Sequence, residues 1–293
     1  MALGFIGFGG AGYGLAKGLR GAGIEEVHFH DRMQETQPYA EVIRRHAAEI
    51  GATRAATVCE LLSRVETVIS CVTGAMAIDV ANDASPFLGP SHLYVDVNTA
   101  SPKVKETVAG IVVKTGAAFV DAAMMGAIPA FLHQVPILAS GDGATRFQKC
   151  MQPYGMKISV IGGKPGQASA IKMFRSIFMK GLLSLFLETL TATHRYGVNE
   201  MVLGSIAESL DGVPFLETAR QQMTKGAVNA ERMAHEMEEV IATLEELGVP
   251  AGMSKATREK LLWCAGFDLR ERLGGELPTT LTEVLQAMEL PRP

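Results

Sequence analysis

The sequence predicts an α/β chain in two parts: a doubly wound, mostly parallel sheet over residues 1–163, then an all-helical part over 164–293. Three observations carry this expectation. A short apolar strand runs into a glycine-rich turn between Gly4 and Gly12. Strand-like and helix-like segments then alternate up to about residue 162, as in sheets covered by helices on both faces. Beyond Pro165 no strand pattern is found, and a run free of proline reaches Tyr196.

Gly7, Gly9 and Gly12 have the spacing G-x-G-x-x-G, and Tyr13 to Gly21, with Leu15, Ala16 and Leu19, reads as a helix. Strand, tight turn and helix N-terminus together make an anion site: N–H groups and the positive end of the helix dipole converge, and glycines admit a pyrophosphate. A glycine cluster alone also fits an ordinary turn. The flanking elements and an acidic residue downstream favour a dinucleotide site contacted by Gly7, Phe8, Gly9, Gly10, Ala11 and Gly12.

Val27 and Phe29 alternate with polar neighbours in a second strand, and Asp31 stands at its C-terminal end. A carboxylate there accepts hydrogen bonds from ribose hydroxyls and repels a 2′-phosphate, which favours NAD. Arg32 keeps NADP open, since an arginine in this place holds a 2′-phosphate or stacks on adenine.

Residues 39–50 and 55–65 read as helical. The β-rich run Thr67 to Thr73 is a buried strand whose terminal loop, with Val72 and Thr73, is placed over the cofactor. A helix over 75–81 follows, then a strand over 93–97. Asn98 and Thr99 offer hydrogen-bonding side chains at the carboxyl edge of the sheet; capping of the next helix by Thr99 or Ser101 is the plainer reading. Residues 118–127 form a strand and a small-residue loop, with Asp121 taken as structural, and residues 134–141 and 157–162 form the last strands.

The second part hangs from one long helix, about 166–196. Lys172, Ser176 and Lys180 share one face of it, among apolar neighbours. Spacing alone leaves two readings of Lys172: desolvation makes it an acid or base usable near neutral pH, or it reaches water at the domain boundary. Further on, Arg232 and Glu236 are an i,i+4 pair, and His235 is either a structural histidine or a proton carrier.

Composition narrows the field. A net charge of −4 gives no electrostatic case for nucleic acid, and the four scattered cysteines suit neither a disulfide frame nor a metal site. No apolar run of membrane-spanning length occurs, so the expectation is a cytoplasmic protein with a small-molecule substrate and no metal. The 15 methionines fit an adaptable helical interior.

These residues together resemble the β-hydroxyacid dehydrogenases, the group of 3-hydroxyisobutyrate and 6-phosphogluconate dehydrogenases, over most of the chain. Gly4 to Gly12 is similar to that family's opening fingerprint, with Ala11 where methionine is usual. Asp96 to Pro102 matches its D-x-S-T-x-S-P stretch, with Asn98 in place of the serine. Asp121 to Ala127 aligns with its D-A-P-V-S-G-G loop, and Gly166 to Lys172 with G-x-G-x-x-x-K. The resemblance implies a Rossmann-type domain and a helical domain that forms homodimers. It also implies that Lys172 is a general acid/base and that Asn98, Met125, Gly126 and Ala127 face the substrate; with the family's serine and asparagine replaced, Arg175, Lys180 or His235 would hold it instead.

The departures lie on the substrate side. Met125 replaces the loop serine, Ala127 its second glycine and Ser176 an asparagine; His235-Glu236 stands where the dehydrogenases carry Lys-Asp. The expectation is an oxidoreductase of a divergent 6-phosphogluconate-dehydrogenase-like branch, moving a hydride between a nicotinamide and a small hydroxy compound. Lys172, Ser176 and His235 are its candidate catalytic residues. Reduction of imines or of carbonyls without an acid group, and non-catalytic NAD(P) sensing, are the alternatives.

Overall fold

The computed structural model describes residues 1–289. The chain divides into two compact units, one from Met1 to Ile177 and one from Phe178 onward. The division lies inside the long helix, not at its start as expected from the change of pattern at residue 164. The first helical turn belongs to the sheet unit because Ala168 and Ser169 are buried and bonded to sheet residues.

The first unit runs β1 (Ala2–Ile6), α1 (Gly10–Gly21), β2 (Glu26–His30), α2 (Tyr39–Ile50), β3 (Thr53–Arg54), α3 (Val58–Leu62), β4 (Thr67–Ser70), α4 (Ala77–Ala84), β5 (Leu93–Asp96), α5 (Pro102–Val113), β6 (Ala118–Met124), α6 (Ile128–Phe131), β7 (Ile137–Ser140), α7 (Ala144–Met151), β8 (Ile158–Gly162) and the start of α8 (Gln167–Tyr196). The eight strands form one sheet in the order β3-β2-β1-β4-β5-β6-β7-β8. All neighbours are parallel except β6 and β7. The chain reverses its winding between β1 and β4, and ligands of doubly wound sheets bind outside the strand ends at that point.

Period-two alternation sends side chains to both faces. Leu3, Phe5 and Phe29 join Leu15 and Leu19 of α1 on one side, while Ile6, Val68, Tyr94 and Phe119 meet α3, α4 and α5 on the other. Local chemistry sets the helix starts. Thr57 Oγ1 accepts from Glu60 N at 3.1 Å and shortens the helix expected over 55–65 to five residues. Pro102 opens α5 and Ser101 Oγ accepts from Val104 N, so Ser101 caps that helix and Thr99 does not. The helix expected over 75–81 starts as a 3₁₀ turn at Gly74–Met76 and continues to Ala84.

The second unit is wholly helical in its described residues: the rest of α8, then α9 (Asn199–Leu210), α10 (Phe215–Gln221), a π-turn (Gln222–Gly226), α11 (Ala230–Glu246), α12 (Gly252–Ala265), α13 (Leu269–Arg272) and α14 (Leu281–Glu289). Glu188 of α8 accepts from Met253 N and Ser254 N, both at 2.8 Å, and so caps α12; against the effect of burial, a bond from Ser254 Oγ at 2.6 Å and then these two hold its carboxyl below the usual range. Arg195 donates to the carbonyls of Leu247 and Gly248. Small apolar clusters form around Phe267 and Val284 and around Leu244 and Val249. Among the described residues, no helix is long and apolar enough to cross a membrane, and no cluster of histidine, cysteine or acidic side chains could hold a metal ion.

Candidate active site

The glycine turn is built backbone against backbone. Gly7 has φ +93°, and a Cβ there would stand 2.3 Å from the Cys71 carbonyl oxygen. A Cβ on Gly12 would stand 2.3 Å from the Gly7 carbonyl oxygen. Gly9 and Gly10 face open space instead. α1 begins without a side-chain cap and without an acidic residue in its first turn, so its leading N–H groups face outward uncompensated. Beside them lies a cavity of about 620 Å³, lined by Gly7, Gly9, Gly10, Ala11, Asp31, Arg32, Met33, Tyr39, Cys71, Val72, Thr73 and Met76. Its size, its unpaired donors and the room at Gly9 and Gly10 fit a dinucleotide.

Asp31 is occupied in shaping this turn. Its Oδ2 accepts from Phe8 N at 2.7 Å and its Oδ1 from Met33 N at 2.8 Å. The Phe8 side chain does not face the cavity: it is buried and stacks on Phe29 with ring centres 4.1 Å apart. Gly12 likewise is a packing position, not part of the lining. Arg32 is exposed, with Nη1 at 3.8 Å from Met76 Sδ. Cys71 is pushed up to about 12, first by burial and then by the Asp96 carboxylate.

Two loops close the far side. Asn98 Oδ1 accepts from Val72 N at 2.6 Å, and Asn98 Nδ2 donates to Ser70 Oγ at 3.0 Å. A Cβ on Gly74 would stand 2.1 Å from the Thr99 carbonyl oxygen. Asn98 is therefore buried and its amide holds the Val72 loop, whereas Thr99 Oγ1 accepts from Lys172 Nζ at 3.2 Å. Ser176 Oγ donates to the Lys172 carbonyl oxygen one turn along α8. Met125 is partly exposed, with its N–H on the Pro136 carbonyl at 2.7 Å; Gly126, Ala127 and Arg175 are exposed. Lys180 and His235 belong to the second unit, both exposed, with His235 Nδ1 at 3.9 Å from Glu238 Oε1.

One buried cluster went unnoticed in the sequence. Lys105, Asp96 and Asp121 are wholly inaccessible, and the Lys105 ammonium reaches Asp96 Oδ1 at 2.8 Å and Asp121 Oδ1 at 3.5 Å. Burial is the largest influence on Asp96 and raises it, while Lys105 opposes this. A signal was available. Lys105 shares the apolar stripe of α5 with Val108, Ala109 and Val112, where a lysine needs a buried partner.

The chain matches known proteins over both units. Residues 2–162 match the model of the NAD binding domain of 6-phosphogluconate dehydrogenase, and residues 193–263 match a domain of unknown function. An L-threonate dehydrogenase of Cupriavidus necator is 23% identical over 99% of this chain and 97% of its own. A solved conserved protein, described as structurally similar to 3-hydroxyacid dehydrogenases, is 33% identical over 94% of this chain and 100% of its own, with a TM-score of 0.62. An imine reductase of Myxococcus stipitatus in complex with NADP+ shares the fold, with a TM-score of 0.72 and 17% identity over 99% and 100% of the two chains. With its glycine turn, its winding reversal and more than half its length matched, the chain belongs to the 6-phosphogluconate-dehydrogenase-like family of NAD(P)-binding dehydrogenases, relatives of the 3-hydroxyacid dehydrogenases.

Proposed function

We propose that the protein moves a hydride between a nicotinamide and a small hydroxy compound of the β-hydroxyacid class, with Lys172 as the proton carrier. The observation that carries this reading is the contact of Lys172 Nζ with Thr99 Oγ1, at a turn anchored through Asn98 to the Val72 loop of the cofactor cavity. When bound, the nicotinamide supplies the hydride acceptor or donor. Gly9, Gly10 and Ala11 receive the pyrophosphate at the uncapped start of α1. In its uncharged form Lys172 accepts the substrate hydroxyl proton; as the ammonium it returns that proton to the developing alkoxide. Thr99 orients Nζ for this transfer.

NAD is the favoured cofactor, because the Asp31 carboxylate lies in the cavity wall where a 2′-phosphate would meet its charge. The small-molecule site takes in the Met125 loop. The helical unit leaves Leu183, Leu187, Met201 and Leu216 more than half exposed, which supports a homodimer through its helices, and the expected location is the cytoplasm.

A second reading follows from Met125. An apolar side chain at the position of the family's loop serine suits a substrate without an acid group, such as a cyclic imine or a plain carbonyl. A panel of β-hydroxyacids, including threonate, and of cyclic imines, run with both cofactors, separates the two. Turnover of hydroxyacids that Lys172→Ala abolishes supports the first reading. Imine reduction with no hydroxyacid oxidation replaces it.

A further inference from the structure

Lys105 and its two aspartates sit beneath the site and take no part in the reaction just described. Their connections nevertheless form a closed ring. The Lys105 ammonium has three protons and three buried acceptors: Asp96 Oδ1 at 2.8 Å, the Asp96 carbonyl oxygen at 2.9 Å and Asp121 Oδ1 at 3.5 Å. From Asp96, one arm runs outward through Oδ1 to Asn98 N at 2.8 Å, and Asn98 precedes Thr99. From Asp121, the other arm runs to the first turn of α8. Its Oδ1 accepts from Ser169 Oγ at 2.7 Å and its Oδ2 from Ser169 N at 3.0 Å. Ser140 Oγ, within 3.4 Å of Asp121 Oδ2, accepts from Ala168 N. Lys172 stands one turn beyond Ser169, and its bond to Thr99 joins the two arms again.

An isolated buried charge is costly, and a buried ion pair adds little stability that a well-packed apolar group would not also supply. A geometric role accounts better for a cation where the two arms meet at the buried end of the ring. An ammonium with one hydrogen bond and two ion-pair contacts at fixed places constrains the distance between its partners, which an apolar side chain filling the same space does not. The Asp96 arm has a second branch, because Asn98 also holds Val72 N and so the wall of the cofactor cavity.

We propose that Lys105 is a positioning residue, setting the separation between the Thr99 turn and the first turn of α8 and so the placement of Lys172 Nζ. The catalytic consequence rests on Lys172 being the proton carrier; the placement itself does not. Two cuts test it. Lys105→Met removes the centre of the ring, and Ser169→Ala removes one bond of the α8 arm without leaving a charge unpaired. Lys103→Met, at an exposed position of the same helix, is the control.

The readout is the rate at which Lys172 is acetylated by acetic anhydride across a pH series, measured by mass spectrometry on folded protein against Lys17 as internal standard. Release from Thr99 raises the relative rate at Lys172 roughly threefold or more, the scale of one ordinary hydrogen bond. It also displaces the midpoint of the pH series, while Lys103→Met changes neither. NADH affinity, read by fluorescence, weakens in Lys105→Met and holds in Lys103→Met. If Lys105→Met does not fold, Ser169→Ala decides alone. Unchanged Lys172 acetylation in a folded cut variant overturns the proposal, leaving the ring a stabilising element only. Persisting turnover in Lys172→Ala, with acetylation still responsive to the cuts, would instead remove the catalytic reading and leave the positioning intact.

Discussion

Lys172 Nζ donates to Thr99 Oγ1 across 3.2 Å, although 73 residues separate the two in sequence. One lies on α8 and the other on the turn after β5, so their contact depends on how the helix start is seated on the sheet. Replacing Lys172 by alanine or methionine is expected to lower turnover about 10²- to 10⁴-fold, the usual yield of a placed acid or base. NADH affinity, measured by fluorescence titration, stays at the wild-type value because Lys172 is outside the cofactor cavity lining.

Glycines of the same turn separate into two kinds. Gly12→Ala forces a Cβ to within 2.3 Å of the Gly7 carbonyl oxygen, and both stability and cofactor binding fall, the former by about 1–3 kcal/mol. Gly10→Ala meets nothing within 4 Å, so its melting temperature holds while its NADH affinity drops. Thermal melts paired with titration distinguish the cases; equal loss of stability in both would contradict the backbone packing described.

Cofactor choice turns on neighbours of opposite charge. With NAD as the partner, Arg32→Ala weakens NADH and NADPH to a similar degree, through lost contact with the adenosine end. A selective loss of NADPH would instead assign Arg32 to a 2′-phosphate and reverse the preference. Dissociation constants for the two reduced cofactors, taken side by side, decide it.

The cysteines differ in reactivity by environment. Cys71 lines the cavity but is held at about 12, so at pH 8 roughly one molecule in ten thousand carries the thiolate. Cys59 is exposed. Iodoacetamide at pH 8 is expected to label Cys59 within the period in which Cys71 stays unmodified, as read by peptide mass spectrometry.

Acid sensitivity of the helical unit has a named contributor. Two bonds from Arg220 and one from Gln221 hold the Glu217 carboxyl at about 2 instead of its ordinary 4.5. A depressed carboxyl contributes stability that is present above pH 4.5 and is lost as pH falls toward 2. Glu217→Gln should therefore be less stable than wild type at neutral pH and lose less between pH 4.5 and 2. Trp263, the single tryptophan, reports the melt from within the same unit.

Much of the fold was legible because its signals are local. An apolar run into the glycine turn marked β1, alternation marked β2, a β-rich run marked β4, and the absence of proline marked α8. The two-residue β3 and the antiparallel seating of β7 left no such trace, since both depend on neighbours elsewhere in the sheet. Site residues divided in the same way. Glycine spacing pointed to Gly7, Gly9 and Gly12, but the inward turn of Phe8 and the burial of Asn98 follow from packing against Phe29 and Ser70.

By itself the sequence determined the strand–turn–helix that receives a dinucleotide, the acidic end of β2 and a lysine one turn into a long apolar helix. These are set by backbone sterics and by the periodicities of strand and helix, which act over a few residues. The tertiary structure alone decided that Thr99 meets Lys172 while Ser101 caps α5, and that Lys105 lies between Asp96 and Asp121. Those partners come from β5, β6, α5 and α8, and only the register of the sheet and the seating of the helices upon it bring their polar atoms within bonding distance.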